Sequence, residues 1–344
     1  MPGARLSFTT PPRPVDVAAR FPQLAPLTRT ATRLHPRPGS PTAHDSSVGG
    51  PLLWPADEPW PHCAEPHARG ATRRVLSPED IRLLRRIQAA VASRRHLGPP
   101  ASRPTPEELA TEKRILQGRT WPEGPVPLLP VAQLYTRDVP LPFTPPGADL
   151  LQVLWCPFDH PTHPRTAVFW RSAGTVTDIL DAPPEPPAIK SQGYLPEPSV
   201  LAPERVTEYP AFGELDQKLR QELGDPIRWD GSCPAAPQES YDNDLSTSPG
   251  WKTGGWSRWS LTDPAPRSCP ECGTEALPLL TVATLEWDAG SESWAPEEER
   301  TNPTPLLPGT PPANFTLIGT ARGSNLQLHG CPADPSHPHI ELVQ

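Results

Sequence analysis

The sequence predicts a mainly β protein of α+β type, built from a duplicated β unit in two related halves, with a short Arg-rich helical insertion in the first half. Three observations carry that expectation. Proline accounts for 55 of the 344 residues, which leaves little room for long helices or unbroken central strands, because each proline lacks an N–H and blocks the preceding helical turn. Short apolar or alternating runs bounded by proline, glycine or polar residues recur along the chain. An unusual phrase is also written twice, as "CPFDHPTHP" at 156–164 and "CPADPSHPH" at 331–339.

Laying the two phrases on one another brings three separated blocks into register. The first copy reads "VGGPLLWPADEPWPHC" (48–63), "PLLPVAQL" (127–134) and "LLQVLWCPFDHPTHP" (150–164). The second reads "TGGWSRWSLTDPAPRSC" (253–269), "PLLTVATL" (278–285) and "NLQLHGCPADPSHP" (325–338). Gly49, Gly50, Trp54, Pro59 and Pro61 fall on Gly254, Gly255, Trp259, Pro264 and Pro266 without a gap, and Cys63 meets Cys269 after one inserted residue. Agreement in that order signals duplication of a structural unit.

The elements follow from the blocks. "LLPVAQL", "LLQVLW", "TAVFWR", "LLTVATLEW", "FTLIGT" and "HIELV" have the length and flanks of strands. One helix is expected at "SPEDIRLLRRIQAAVASRRH", with Ser77 as N-cap and Pro78 in the first turn, and a second at "TPEELATEKRILQ", with Thr105 as N-cap. Both lie in a gap that the second copy crosses in a few residues, so they form the insertion. A third helix is expected at 210–223, before a Pro-, Ser- and Asp-rich connector. The resulting division is an N-terminal extension (1–29), a first half (30–205, with the insertion at about 70–120), a helix and connector (206–248) and a second half (249–344).

Composition bounds the partners. Eleven Trp and seven Phe supply apolar mass that a disordered chain lacks. No run has signal-peptide or membrane-span character, which gives the expectation of a soluble cytoplasmic protein without membrane contact, whose cysteines act as ligands or buried thiols. A net charge of -8 argues against nucleic acid. Residues 69–119 do carry twelve Arg or Lys against five acids, but Ile81, Leu84, Ile87 and Val91 form one apolar helix face and Arg82, Arg85 and Arg86 point elsewhere, as on a solvated face.

The stretches "SSVGGPLLWP", "EPWP" and "SPGWKTGGWSRW" resemble the YwqG-like family of bacterial proteins of unknown function, and "PGWKTGGW" is the most specific part. The resemblance covers about residues 30–344. It implies a mainly β fold of two related halves and brings no catalytic residues with it. A toxin-immunity type of inhibitor is a function it suggests by association.

Metal chemistry is read from the residues themselves. "CPECG" places Cys269 and Cys272 at the C-x2-C spacing that lets two thiolates grip one ion, and "CPADPSHPH" adds Cys331 with His337, or His339 in its place. The first copy offers a counterpart: "CAEPH" supplies Cys63 and His67, and the aligned phrase supplies Cys156 and His163, with His160 as a spare that could replace it. Cys233 stands alone in the connector. Thiolate and imidazole donors favour Zn2+, and four protein ligands close its coordination, so two structural zinc sites are expected. Each of Cys156, Cys269 and Cys331 is followed by proline, which restricts the turn that must hold the ion.

No H-E-x-x-H, G-x-S-x-G, P-loop or G-x-G-x-x-G motif occurs. The expected function is therefore non-catalytic, through an unknown protein or small ligand, in a groove between the halves where Trp251, Trp256 or Trp259 could make contact. A zinc-dependent hydrolase is the alternative, with an open first site and Asp159 or Glu65 as base. The acidic "EEER" at 297–300 reads as a solvated loop.

Overall fold

A computed structural model describes residues 7–67, 74–99, 103–223, 240–307, 309–320 and 323–344. The fold is mainly β, with fourteen strands in antiparallel sheets among these residues. In chain order they are β1 (Arg29–Arg33), β2 (Arg37–Pro38), β3 (Ser47–Val48), β4 (His62–Cys63), β5 (Val126–Pro127), β6 (Leu129–Tyr135) and β7 (Leu150–Asp159). There follow β8 (Pro164–Arg171), β9 (Ser199–Val200), β10 (Glu204–Glu208), β11 (Lys252–Gly254), β12 (Leu277–Val282), β13 (Leu326–Gly330) and β14 (Ile340–Val343). One six-stranded sheet has the order β10-β1-β11-β12-β13-β14 and the other β2-β9-β3-β6-β7-β8, while β4 and β5 pair by themselves.

Neither large sheet follows chain order. β1 lies between β10 and β11, whereas β2, only a turn later, sits beside β9 in the other sheet. β9 in turn lies between β2 and β3, and β10 crosses back to pair with β1. Two short segments thus exchange between the sheets and tie them together.

The β7 sequence shows why the sheets pack as they do. Leu151, Val153 and Trp155 face a core shared with Val131 of β6, Leu280 and Val282 of β12, and Leu326 and Leu328 of β13. The alternate residues Leu154, Cys156 and Phe158 face a second cluster with Trp54, Trp60 and Val126. A strand buried on both faces must be apolar almost throughout, which accounts for the run "LLQVLWCPF". Its one polar residue, Gln152, donates to Leu53 O (3.0 Å) and to Gln133 Oε1 (2.8 Å). Four residues before Cys331, as Gln152 is before Cys156, Gln327 likewise donates to a backbone carbonyl, Arg258 O (2.6 Å).

The "PGWKTGGW" stretch has a physical explanation. Lys252 and Glu208 form a fully buried pair, with Nζ 2.7 and 2.8 Å from the carboxylate oxygens, and the carboxylate also accepts from Ser248 N and Trp256 N. Gly255 has φ +73°, and a Cβ there would collide with that carboxylate, so the glycine serves both the turn and the charge. Burial draws the Lys252 pKa down, against the pull of Glu208.

A second buried seam lies where β1 turns into β2. His35, in the left-handed region at φ 43°, places its ring between Glu286 and Glu204, with Nε2 3.0 Å from Glu204. Arg37 reaches Glu286 (2.5 Å) and Glu299 (2.7 Å). Burial alone would raise the Glu286 pKa, but His35, Arg37 and Arg33 hold it down at about 2. Thr10 donates to Glu204 through its backbone N–H (2.8 Å) and its hydroxyl (2.5 Å), so the N-terminal segment closes over this seam.

The helices start where their caps predict. Short α1 (Val17–Arg20) is capped by Asp16. In α2 (Pro78–Ser93), Ser77 accepts from Asp80 N, and in α3 (Pro106–Ile115), Thr105 forms a capping box with Glu108. Ile81, Leu84 and Ile87 are buried and Arg82 and Arg86 exposed, but Arg85 departs from the expected solvated face. Its guanidinium is buried against Glu197 Oε2 (3.0 Å), Gln192 O (3.1 Å) and Leu195 O (2.7 Å). The single helix expected at 210–223 divides into a 3-10 turn at Phe212–Glu214 and α4 (Gln217–Leu223), because Leu215 is extended and Asp216 caps Leu219 N afresh. Residues 224–239, including Cys233, lie outside the described residues.

Three local expectations are corrected. "FTLIGT" forms no strand: Ala313 and Leu317 take positive φ, and Asn314 Nδ2 donates to Ile318 O, which curls the segment into a loop. "LLTVATLEW" leaves its sheet after Val282. "EEER" begins a short helix, α5 (Glu297–Thr301), and Glu299 is buried because it partners Arg37. Among the described residues no helix is long and apolar enough to cross a membrane.

Candidate metal centres

Two groups of cysteine and histidine side chains converge, and each could hold a metal ion. The first contains Cys63, His67, Cys156 and His160, and the second Cys269, Cys272, Cys331 and His337; in each group the candidate donor atoms lie within 4.8 Å of one another. All the ligands expected from the sequence are brought together except His163, whose place is taken by His160.

In the first group Cys63 is fixed by the β4–β5 pair, opposite Val126, and Cys156 by the far end of β7. His67 follows Cys63 on the loop that leaves β4. Its Nε2 lies 3.1 Å from Cys156 Sγ, and His160 Nε2 lies 3.5 Å from Cys63 Sγ. A tetrahedron with Zn–S near 2.3 Å and Zn–N near 2.0 Å has donor separations of roughly 3.3–3.8 Å. The two sulfur–nitrogen separations lie close to that range, and all four donors fall within 4.8 Å. The His67 ring packs on Phe158 (4.8 Å between centroids), which in turn packs on Trp121 (4.9 Å), so the group rests on an aromatic floor. Burial raises the Cys156 pKa and lowers those of His67 and His160. Neutral imidazoles keep the lone pair that a cation needs.

The second group is built on a tight hairpin. Cys269 N donates to Thr274 O (2.8 Å), Gly273 N donates to Cys269 O (2.9 Å), and Gly273 takes φ +73° to close the turn. Cys331 follows β13 directly, just as Cys156 lies near the end of β7. Cys269 Sγ is 3.4 Å from His337 Nδ1, and Cys272 Sγ is 3.5 Å from Cys331 Sγ. Cys272 is exposed, and the hydroxyl and backbone N–H of Thr274, with Cys331, pull its pKa down to about 6.

Both groups have an outer carboxylate that the sequence did not point to in that role. His160 turns its other nitrogen, Nδ1, toward Glu65 Oε2 (3.5 Å), and His337 turns Nε2 toward Asp334 Oδ2 (3.6 Å). Such a carboxylate fixes the tautomer of a ligand histidine and raises its basicity. Backbone N–H groups just beyond the cysteines, Phe158 after Cys156 and both Ala333 and Asp334 after Cys331, point at sulfur and favour the thiolates. The proline between cysteine and donor has no N–H of its own, which suits a turn that presents the later amides.

His163 has a different job. Its Nε2 lies 3.0 Å from Glu341 Oε2 on β14, and Thr166 Oγ1 lies 2.7 Å from His339 Nε2. These contacts join the β7–β8 hairpin to the β13–β14 hairpin, one from each large sheet. His160 and His163 are three residues apart, and the alignment could not distinguish them because "DHPTHP" is one residue longer than "DPSHP". Of the Trp candidates, Trp251 is buried in the shared core, whereas Trp256 and Trp259 line one cleft of about 380 Å³, where Trp256 Nε1 donates to Leu27 O (3.0 Å) and its ring lies under Arg29. Trp259 is half-buried beside Arg267.

No family model matches the chain, and no curated protein matches it either. The functional reading therefore rests on this geometry.

Proposed function

We propose that the protein is a non-catalytic, zinc-stabilised cytoplasmic protein of YwqG-like type, built from a duplicated unit, that acts by binding a protein or a small ligand. The observation that carries the reading is the pair of four-donor sulfur and nitrogen sets, each formed between a small antiparallel pairing, β4–β5 in one and the 268–275 hairpin in the other, and the end of a strand that occupies the same place in its sheet. Thiolate and imidazole donors favour Zn2+, and four protein donors leave no position for an activated water. The bases that a hydrolase would need are engaged: Asp159 with Tyr194 (2.5 Å) and Lys190, and Glu65 with Arg165 and His160.

The strand orders support duplication. In this reading one unit is β1-β2-β3-β6-β7-β8 and the other β9-β10-β11-β12-β13-β14, and each first strand inserts between the second and third strands of the other unit. The boundary between units then falls just before β9 rather than at 205. The α2–α3 pair is an insertion between β4 and β5, where the second unit has only the hairpin at 268–275.

The test is elemental analysis of freshly purified protein, prepared without chelator, together with X-ray absorption at the metal edge. Two zinc ions per chain, falling to one in Cys269→Ser, and a first shell of sulfur and nitrogen only, are the expected results. Metal-free protein would remove the zinc reading, and an oxygen from water in the first shell would favour the hydrolase.

A further inference from the structure

The Arg-rich helix α2 borders a half-open groove of about 530 Å³ that contains none of the metal ligands. Its volume is in the range of small-molecule sites. Arg82, Arg86 and Ala89 recur at i, i+4 and i+7 and so share the helix face that looks into the groove, opposite the buried Ile81, Leu84 and Ile87. Ala89 and Ala92 leave space where longer side chains would fill it. The facing wall is apolar: Leu306 and Leu307 on one loop, Phe315 and Leu317 on another, with Pro196 and Pro198 at the base.

Part of the lining is held by contacts within the fold. Glu197 N donates to Thr316 O (2.7 Å), stitching the proline segment to the Phe315 loop, and the Arg37 guanidinium backs the Phe315 ring at 3.8 Å. Arg85 is held by one carboxylate and two backbone carbonyls. Arg82 shares Glu185 at the surface, while Arg86 has no hydrogen-bond or ion-pair partner among the described residues. The lining thus carries three guanidinium groups against one carboxylate, Glu197, beside a continuous apolar wall. A guanidinium fork matches a carboxylate, and the apolar wall gains from covering a hydrocarbon body.

We propose that this groove binds a small amphipathic monocarboxylate, with its acid head at Arg86 and Arg82 and its apolar body against Leu306, Leu307, Phe315 and Leu317. A monoanion is favoured over a multiply charged phosphate because Glu197 remains in the lining. The proposal stands apart from the zinc reading, since no residue is shared between the two.

The test is calorimetric titration of the full chain with decanoate below its micellar range, with decyltrimethylammonium as the charge-reversed control. Saturable binding of one decanoate per chain is expected, weakened at least tenfold by Arg86→Glu and by Ala89→Trp, which fills the groove; the cation should not bind. Both positions are exposed, and circular dichroism with the melting temperature would confirm that each variant is folded. Absence of saturable decanoate binding, equal affinity for the cation, or unchanged affinity in both folded variants would overturn the proposal.

Discussion

The two candidate metal centres use one clamp in two settings. In the first, two cysteines and two histidines sit on the Phe158–Trp121 floor; in the second, three cysteines and one histidine close a hairpin whose Cys272 is exposed. With a divalent cation and deprotonated thiols, the first set is neutral overall and the second carries one negative charge. A net charge costs more in an apolar setting than beside water. That the first group has an imidazole at His67 and the second a thiolate at the exposed Cys272 thus matches the surroundings of each.

The largest difference between the centres should appear on removing a ligand. Structural zinc contributes about 10 kcal/mol or more in small domains, comparable with a domain's whole stability. Cys156→Ser is expected to lose one zinc and to unfold the sheet that β7 anchors, whereas Cys272→Ser should lose or loosen one zinc with a smaller drop in Tm. A chromophoric chelator should strip the second centre of the wild-type protein first. Equal melting losses in the two variants, or simultaneous release, would break the distinction.

The buried seam is a control that separates metal loss from ordinary acid unfolding. Glu286 has its pKa depressed in the folded state, so the stability it lends is present above the normal carboxylate range and is lost as pH falls through about 2. Glu286→Gln is expected to cost about 3 kcal/mol at neutral pH, because it removes the carboxylate that Arg37, Arg33 and His35 share in the buried seam. In that variant the acid limb of a denaturation curve, measured on protein with its metals counted, should flatten below pH 4.5. An unchanged acid limb would show that the seam is not what acid breaks.

Smaller effects belong to the outer carboxylates. Glu65→Gln and Asp334→Asn should each weaken their own centre about tenfold in competition with a chelator, leaving the other unaltered. Smallest of all is His163→Ala, which should retain two zinc ions per chain while His160→Ala retains one. The opposite result would return His163 to the ligand set.

Much of the β architecture was legible because burial on both faces of β7 demands a continuous apolar run, and helix starts were legible because Ser77 and Thr105 cap locally. The cysteines were legible for a related reason: a short hairpin brings Cys269 and Cys272 together by chain geometry alone. His160 against His163 was not, because both lie on one turn and only the partner across the sheet interface, Glu341, decides which of them turns away. Glu299 was misjudged for the same kind of reason: its partner Arg37 is 262 residues distant in the chain.

The sequence by itself determined the mainly β class, the caps of α2 and α3, and the cysteines and most of the histidines of the two clusters, since these depend on spacing within a few residues or on a pattern written twice. Tertiary structure alone decided that β1 and β9 change sheets, which histidine completes the first cluster, and that charges such as Glu286 and Lys252 are buried. The division is physical: local geometry is encoded by neighbours in the chain, whereas a buried charge or a crossing strand is stabilised by partners that only folding brings near.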